Sequence, residues 1–153
     1  MAGGAKPVPA DVSFDVPAYL PDDYVPSQEA KLDIYRRLTR VTEAAEIDAL
    51  SAEVRDRFGV LPPAAEAFFA QALLRLVGAA LRVEGILVRG GEARISFRAD
   101  AVPRMKPLSA AFHDVQFQIE VRRSHPLALK LTRLGGAELP GGLVRALRSV
   151  AAV

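Results

Sequence analysis

Val83-Glu84-Gly85-Ile86-Leu87-Val88-Arg89-Gly90-Gly91-Glu92-Ala93-Arg94-Ile95-Ser96-Phe97 is where the chain changes its period. Upstream, apolar residues recur at spacings of three and four. Here they alternate: Ile86 and Val88 share one face of a first strand, Ile95 and Phe97 continue on a second. Between them Arg89-Gly90-Gly91-Glu92 turns the chain, because paired glycines permit the positive φ angles of a tight hairpin.

Toward the N-terminus the pattern predicts three helices. Ser27, after Pro26, is a good N-cap for a first helix to about Arg40, with Leu32, Ile34, Tyr35 and Leu38 as its apolar face. Thr42 can cap a second helix over Glu43–Phe58, where Ile47, Leu50, Val54 and Phe58 form a stripe and Gly59 ends it. Leu61-Pro62-Pro63 opens a third helix to about Arg82. It is apolar nearly all round (Phe68, Phe69, Leu73, Leu74, Leu76, Val77, Leu81), as a central, buried helix is. Gly78 inside it loses about 1 kcal/mol of helix propensity against alanine, so a close crossing is expected there. Ahead of the helices, Val12, Phe14 and Val16 alternate like a short strand, and residues 1–11 read as a flexible linker or cloning remnant.

Toward the C-terminus, Asp100–His113 with Pro103 and Pro107 reads as a short, irregular helix. Val115, Phe117, Ile119 and Val121 alternate with Gln116, Gln118 and Glu120, a half-buried strand. Arg122–Pro126 turns, Leu127, Leu129 and Leu131 form the next strand, and a last helix covers Gly142–Val150. Helices first and hairpins later predict an α+β domain: three N-terminal helices packed on an antiparallel sheet of about four strands, with a C-terminal helix. The single domain is expected to run over 12–153.

Composition narrows the chemistry. At 153 residues, half of them hydrophobic, the chain can bury one substantial core. It has no cysteine, which removes thiolate catalysis and cysteine-built zinc or iron–sulfur sites. The start has no apolar signal-peptide region, and Arg75 and Arg82 break the longest apolar runs, so neither export nor a membrane span is expected. Residues 1–60 carry eleven acidic and seven basic side chains, net −4, and residues 61–153 carry seven and thirteen, net +6. That asymmetry leaves two readings open: scattered solubilising arginines, or a basic surface for nucleic acid. Val115–Val121 with Arg122, Arg123 and Lys130 could form such a surface. Single-strand recognition also wants exposed aromatics, however, and Phe117 falls on the strand's apolar face.

No catalytic constellation is found. There is no G-x-x-x-x-G-K-[ST] loop, and the glycine pairs read as turns. His113 and His125 lack metal-ligand spacing, the serines lack a G-x-S-x-G elbow, and Asp22-Asp23 reads as a solvated turn more readily than a cation site. The distinctive polar set is Glu53, Asp56 and Arg57, at i, i+3 and i+4 on one face of the second helix. At 3.6 residues per turn that face lies roughly 110° from the apolar stripe. It is either an ordinary Glu53–Arg57 ion pair of about 0.2–0.5 kcal/mol or a mixed-charge patch for a partner, with arginine as anchor.

Three blocks favour the second. Ala18-Tyr19-Leu20-Pro21-Asp22-Asp23-Tyr24-Val25, Leu32-Asp33-Ile34-Tyr35-Arg36-Arg37-Leu38 and Glu53-Val54-Arg55-Asp56-Arg57-Phe58-Gly59-Val60-Leu61-Pro62, in this order and spacing, resemble the C-terminal domain of bacterial transcription-repair coupling factors (Mfd). The likeness covers about 12–150, with the specific motifs in 18–83. It implies a parent protein that is an ATP-driven DNA translocase, using ATP and Mg, which releases stalled RNA polymerase and recruits nucleotide excision repair through UvrA in the cytoplasm. It implies further that this domain is not itself an enzyme and binds no cofactor or metal of its own. Instead it docks on an N-terminal UvrB-like module of the parent chain and masks the surface UvrA needs. Matched residue by residue, the partner-binding positions are Glu53, Asp56 and Arg57, with Phe58 and Gly59 setting the helix end. An auxiliary DNA-binding role is the alternative. Two positions depart from the family pattern: Lys31 where arginine is usual, and Arg82 where glycine often ends the third helix.

Overall fold

A computed structural model describes residues 8–123, 126–135 and 138–152. In chain order the elements are β1 (Asp11–Phe14), α1 (Gln28–Thr39), α2 (Ala44–Phe58), α3 (Pro63–Ala80), β2 (Val83–Arg89), β3 (Glu92–Phe97), α4 (Met105–Asp114), β4 (Phe117–Arg122), β5 (Ala128–Arg133) and α5 (Leu139–Ala151). The fold is α+β, as expected. The sheet differs in one respect: it has five strands in the order β1-β2-β3-β5-β4, and β1 joins it parallel to β2. The expected antiparallel sheet of four is therefore a mixed sheet of five. The strand begins at Asp11 and Ala10 is buried, so the last residues assigned to the linker belong to the fold.

The hairpin forms as its glycines dictate. Arg89 pairs with Glu92 across a two-residue loop in which Gly90 and Gly91 have φ of 62° and 85°. Positive φ at both central positions matches the right-handed twist of the flanking strands. One face of the sheet is apolar (Val12, Ile86, Val88, Ala93, Ile95, Phe97, Phe117, Leu129, Leu131) and packs with Leu74, Val77, Leu108, Phe112, Leu143 and Leu147 of α3, α4 and α5. The other carries the alternate polar residues and no aromatic among the described residues.

A second core lies on the far side of α3: Leu20, Val25, Ile34, Ile47, Leu50 and Val54 close over Ala65, Phe69 and Ala72. Thus α3 is the common wall of two cores, which is why its sequence is apolar nearly all round. Gly78 is the predicted close crossing: a Cβ there would lie 2.8 Å from the Ala10 Cβ.

Several boundaries move. On α1, Leu32 is 53% exposed rather than part of the apolar face, and its place is taken by Lys31, whose stem is buried and whose ammonium pairs with Asp22. The cap of α2 is Glu43, not Thr42. The Glu46 carboxylate accepts from the N–H groups of both, at 3.1 and 3.2 Å, as in a capping box. α4 is regular, because Pro107 falls in its first turn, where no N–H is needed. α5 begins three residues before Gly142, since Pro140 likewise sits in the first turn. The Val115–Val121 strand starts at Phe117, because Val115 caps α4 and Gln116 takes φ 66°. His125 lies outside the described residues. His113 is exposed in the last turn of α4.

Candidate docking site

The C-terminal end of α2 is built from two of the three sequence blocks, brought together across the chain. Gly59 caps α2 at φ 95°, ψ −169°, a region open essentially to glycine alone. Its N–H returns to the Arg55 carbonyl at 2.8 Å. Its own carbonyl accepts the Tyr24 hydroxyl at 2.6 Å. The Tyr24 ring stands 6.0 Å from that of Phe58, tilted by 60°, within the range of favourable aromatic pairs. Burial raises the Tyr24 phenol above its usual value, with the nearby Arg55 charge opposing. The turn leaving α2 is therefore fixed from both sides.

Glu53, Asp56 and Arg57 all lie on α2 and are all solvent-accessible. The Arg57 guanidinium lies over the Phe58 ring, 4.9 Å from its centroid, a cation–π contact that limits where the charge can go. The Asp56 side chain has no hydrogen-bond or ion-pair partner among the described residues. Glu53 does not make the simple i,i+4 pair with Arg57. Its carboxylate is held by Arg37 of α1, with Asp33 3.9 Å from the same Arg37 nitrogen. The hydrogen bond from Arg37 is the main reason the Glu53 carboxyl lies below its ordinary value, with the Arg37 and Arg57 charges acting in the same direction and desolvation against them. It also raises the Arg37 guanidinium further. Arg37 and Tyr24 stand in the quoted blocks, but spacing alone gave neither a role, because their partners are 16 and 35 residues away.

Val60, immediately past the cap, is 84% exposed. The surface is thus a carboxylate, a stacked guanidinium and an apolar side chain on one fixed helix end. Such a mixture suits recognition of a protein, with arginine over an aromatic as an anchor. No cluster of three potential metal ligands occurs among the described residues, and Asp22 is engaged with Lys31, which holds its carboxyl below the usual range.

Comparison with known proteins gives the family. The TRCF domain family matches residues 14–108. The transcription-repair-coupling factor of Haemophilus influenzae is 38% identical over 96 residues, 61% of this chain. That of Mycobacterium tuberculosis is 34% identical over 121 residues, 77% of this chain. The matched regions span 8% and 9% of those relatives' lengths. A crystal structure of the C-terminal domain of a transcription-repair coupling factor superposes with a TM-score of 0.72, covering 97% of this chain and 92% of that one at 17% identity. The chain belongs to the TRCF domain family, that of the C-terminal domain of transcription-repair coupling factors.

Proposed function

We propose that this domain is a regulatory interaction module that docks through Glu53, Asp56 and Arg57 on the UvrB-like module of its parent chain and so masks the surface UvrA needs. The parent is read as a cytoplasmic, ATP-driven translocase that acts on stalled RNA polymerase, while this domain contributes binding rather than catalysis. The observation that carries the proposal is the Tyr24–Gly59 bond, which joins two family blocks and fixes the helix end bearing Asp56 and Arg57. A prefixed surface binds with less ordering entropy to lose. Glu53 is already shared with Arg37, so its part is to hold α1 and α2 together under the patch as well as to meet the partner. A contact between exposed charges is screened by salt, so the affinity should fall as ionic strength rises.

The test is a titration of this chain against the UvrB-like module, with UvrA as competitor. Binding that UvrA displaces and that the Glu53→Ala/Asp56→Ala/Arg57→Ala variant lacks is the expected result. Unchanged binding by that variant would remove this face from the reading. The alternative, an auxiliary DNA-binding module, draws support only from basic residues on the open face of the sheet. There Arg94 and Lys130 are direct cross-strand neighbours, but Lys130 is already paired with Glu92 at 3.6 Å.

A further inference from the structure

The two edges of the sheet are finished differently. At β1, α3 closes the backbone: the Gln71 amide donates to the Val12 carbonyl at 2.9 Å, and the Ala10 N–H donates to the Arg75 carbonyl at 3.1 Å. At β4 no such cover exists among the described residues. The parity of β4 follows from its neighbours. Phe97 N–H donates to the Leu127 carbonyl and Arg133 N–H to the Gly91 carbonyl, so odd-numbered residues of β5 serve β3. Leu134 N–H donates to the Gln116 carbonyl, so even-numbered residues join β5 to β4. In an antiparallel ladder the remaining residues point their polar backbone groups the other way. Ile119 and Val121 therefore direct both N–H and C=O to the open edge.

An open edge is a template for another strand, and proteins commonly blunt it with charge. Here the exposed side chains include Glu120 and Arg122, opposite in sign and two residues apart. We propose that β4 is a pairing edge for a second copy of this chain, the two strands running antiparallel about a two-fold axis through Val121. Val121 then faces its counterpart and exchanges both N–H···O=C bonds, which its outward polar groups permit. Glu120 falls opposite Arg122 of the second copy, and Arg122 opposite Glu120, in the closer, non-hydrogen-bonded type of pair. A two-fold through Glu120 would satisfy the same backbone groups but set Glu120 against Glu120. Of the two-folds through Ile119, Glu120 and Val121, only the last sets opposite charges against each other, and the contact is isologous. It buries little surface, so association is weak and concentration-dependent.

Sedimentation equilibrium over a concentration series tests this. The native chain should move from monomer toward twice the monomer mass as concentration rises. Glu120→Arg and Arg122→Glu each oppose like charges and should hold the chain monomeric, and the double variant Glu120→Arg/Arg122→Glu should restore the dimer. Val121→Pro should also be monomeric while keeping its circular dichroism, because its N–H contributes nothing to the β4–β5 ladder. A native chain that stays monomeric at the highest concentration overturns the proposal. So does association that the single charge variants leave unchanged, or a double variant that fails to recover it.

Discussion

The Tyr24 hydroxyl donates to the Gly59 carbonyl at 2.6 Å across 35 residues of sequence, tying the loop before α1 to the end of α2. Tyr24→Phe should lower stability by about 1 kcal/mol, the usual net worth of one such bond. Gly59→Ala should cost about 1–3 kcal/mol. No atom lies within 4 Å of a Cβ there, so that loss would be torsional rather than steric. Urea unfolding of both variants checks the ranking, and a Gly59→Ala variant as stable as the native chain would contradict it.

Arg82 holds φ 59°, immediately after the C-cap of α3, a conformation that favours glycine. A side chain in this conformation costs roughly 1–2 kcal/mol. Its ion pair with Asp100 is exposed at both ends and offsets little of that. Arg82→Gly should therefore raise the thermal midpoint, with a net gain of about 1 kcal/mol. An unchanged or lowered midpoint would show that the Asp100 pair outweighs the backbone.

Gly78→Ala should destabilise despite alanine's better helix propensity, because the new methyl would meet the Ala10 Cβ at 2.8 Å. Overpacking of this kind costs about 1–3 kcal/mol, against a propensity gain of about 1 kcal/mol. In the double variant Ala10→Gly/Gly78→Ala the clash is gone, so the two changes should be non-additive. Additive losses would place the strain elsewhere.

Asp22, Glu53 and Asp100 all lie below their ordinary values of 3.8, 4.5 and 3.8, in each case chiefly through a hydrogen bond from Lys31, Arg37 or Arg82. A depressed carboxyl contributes stability above its unfolded value and loses it as pH falls through the folded one. Stability should therefore hold down to about pH 4.5 and decline below it. Arg37→Gln should make that acid decline shallower. At the alkaline end the sign reverses: the raised Tyr24 phenol favours the folded state below its ordinary value of 10 and ceases to as pH rises through the folded one.

These features differ in how far the sequence exposes them. The α2 stripe, the hairpin at Gly90-Gly91 and the crossing at Gly78 are readable because period, turn chemistry and glycine conformation are local. β1 was readable as a strand but not as a parallel neighbour of β2, since its register partners lie 74 residues on. The start of α5 was missed because Pro140-Gly141-Gly142 has turn composition. In the fold Gly142 is required by the Phe117 ring, 2.9 Å from where its Cβ would be. In the candidate site, Glu53, Asp56 and Arg57 share a face as the spacing said. The Arg37 partner of Glu53 belongs to another helix, and no periodicity reports a contact between helices.

The arrangement of α3 between two cores bears on what can be inherited or excised as a unit. The family match ends at residue 108, inside α4. Yet β5, which separates β3 from β4, and α5, which roofs the sheet, come after it. A fragment cut at that boundary would keep α1 and α2 but lose β4, β5 and α5, and with them Phe117, Leu129, Leu131, Leu143 and Leu147 from the core that Leu74 and Val77 share. The segment most recognisable between relatives is thus smaller than the segment that must fold. The remainder must still supply β5 and α5, with Gly142 small enough to lie against the Phe117 ring.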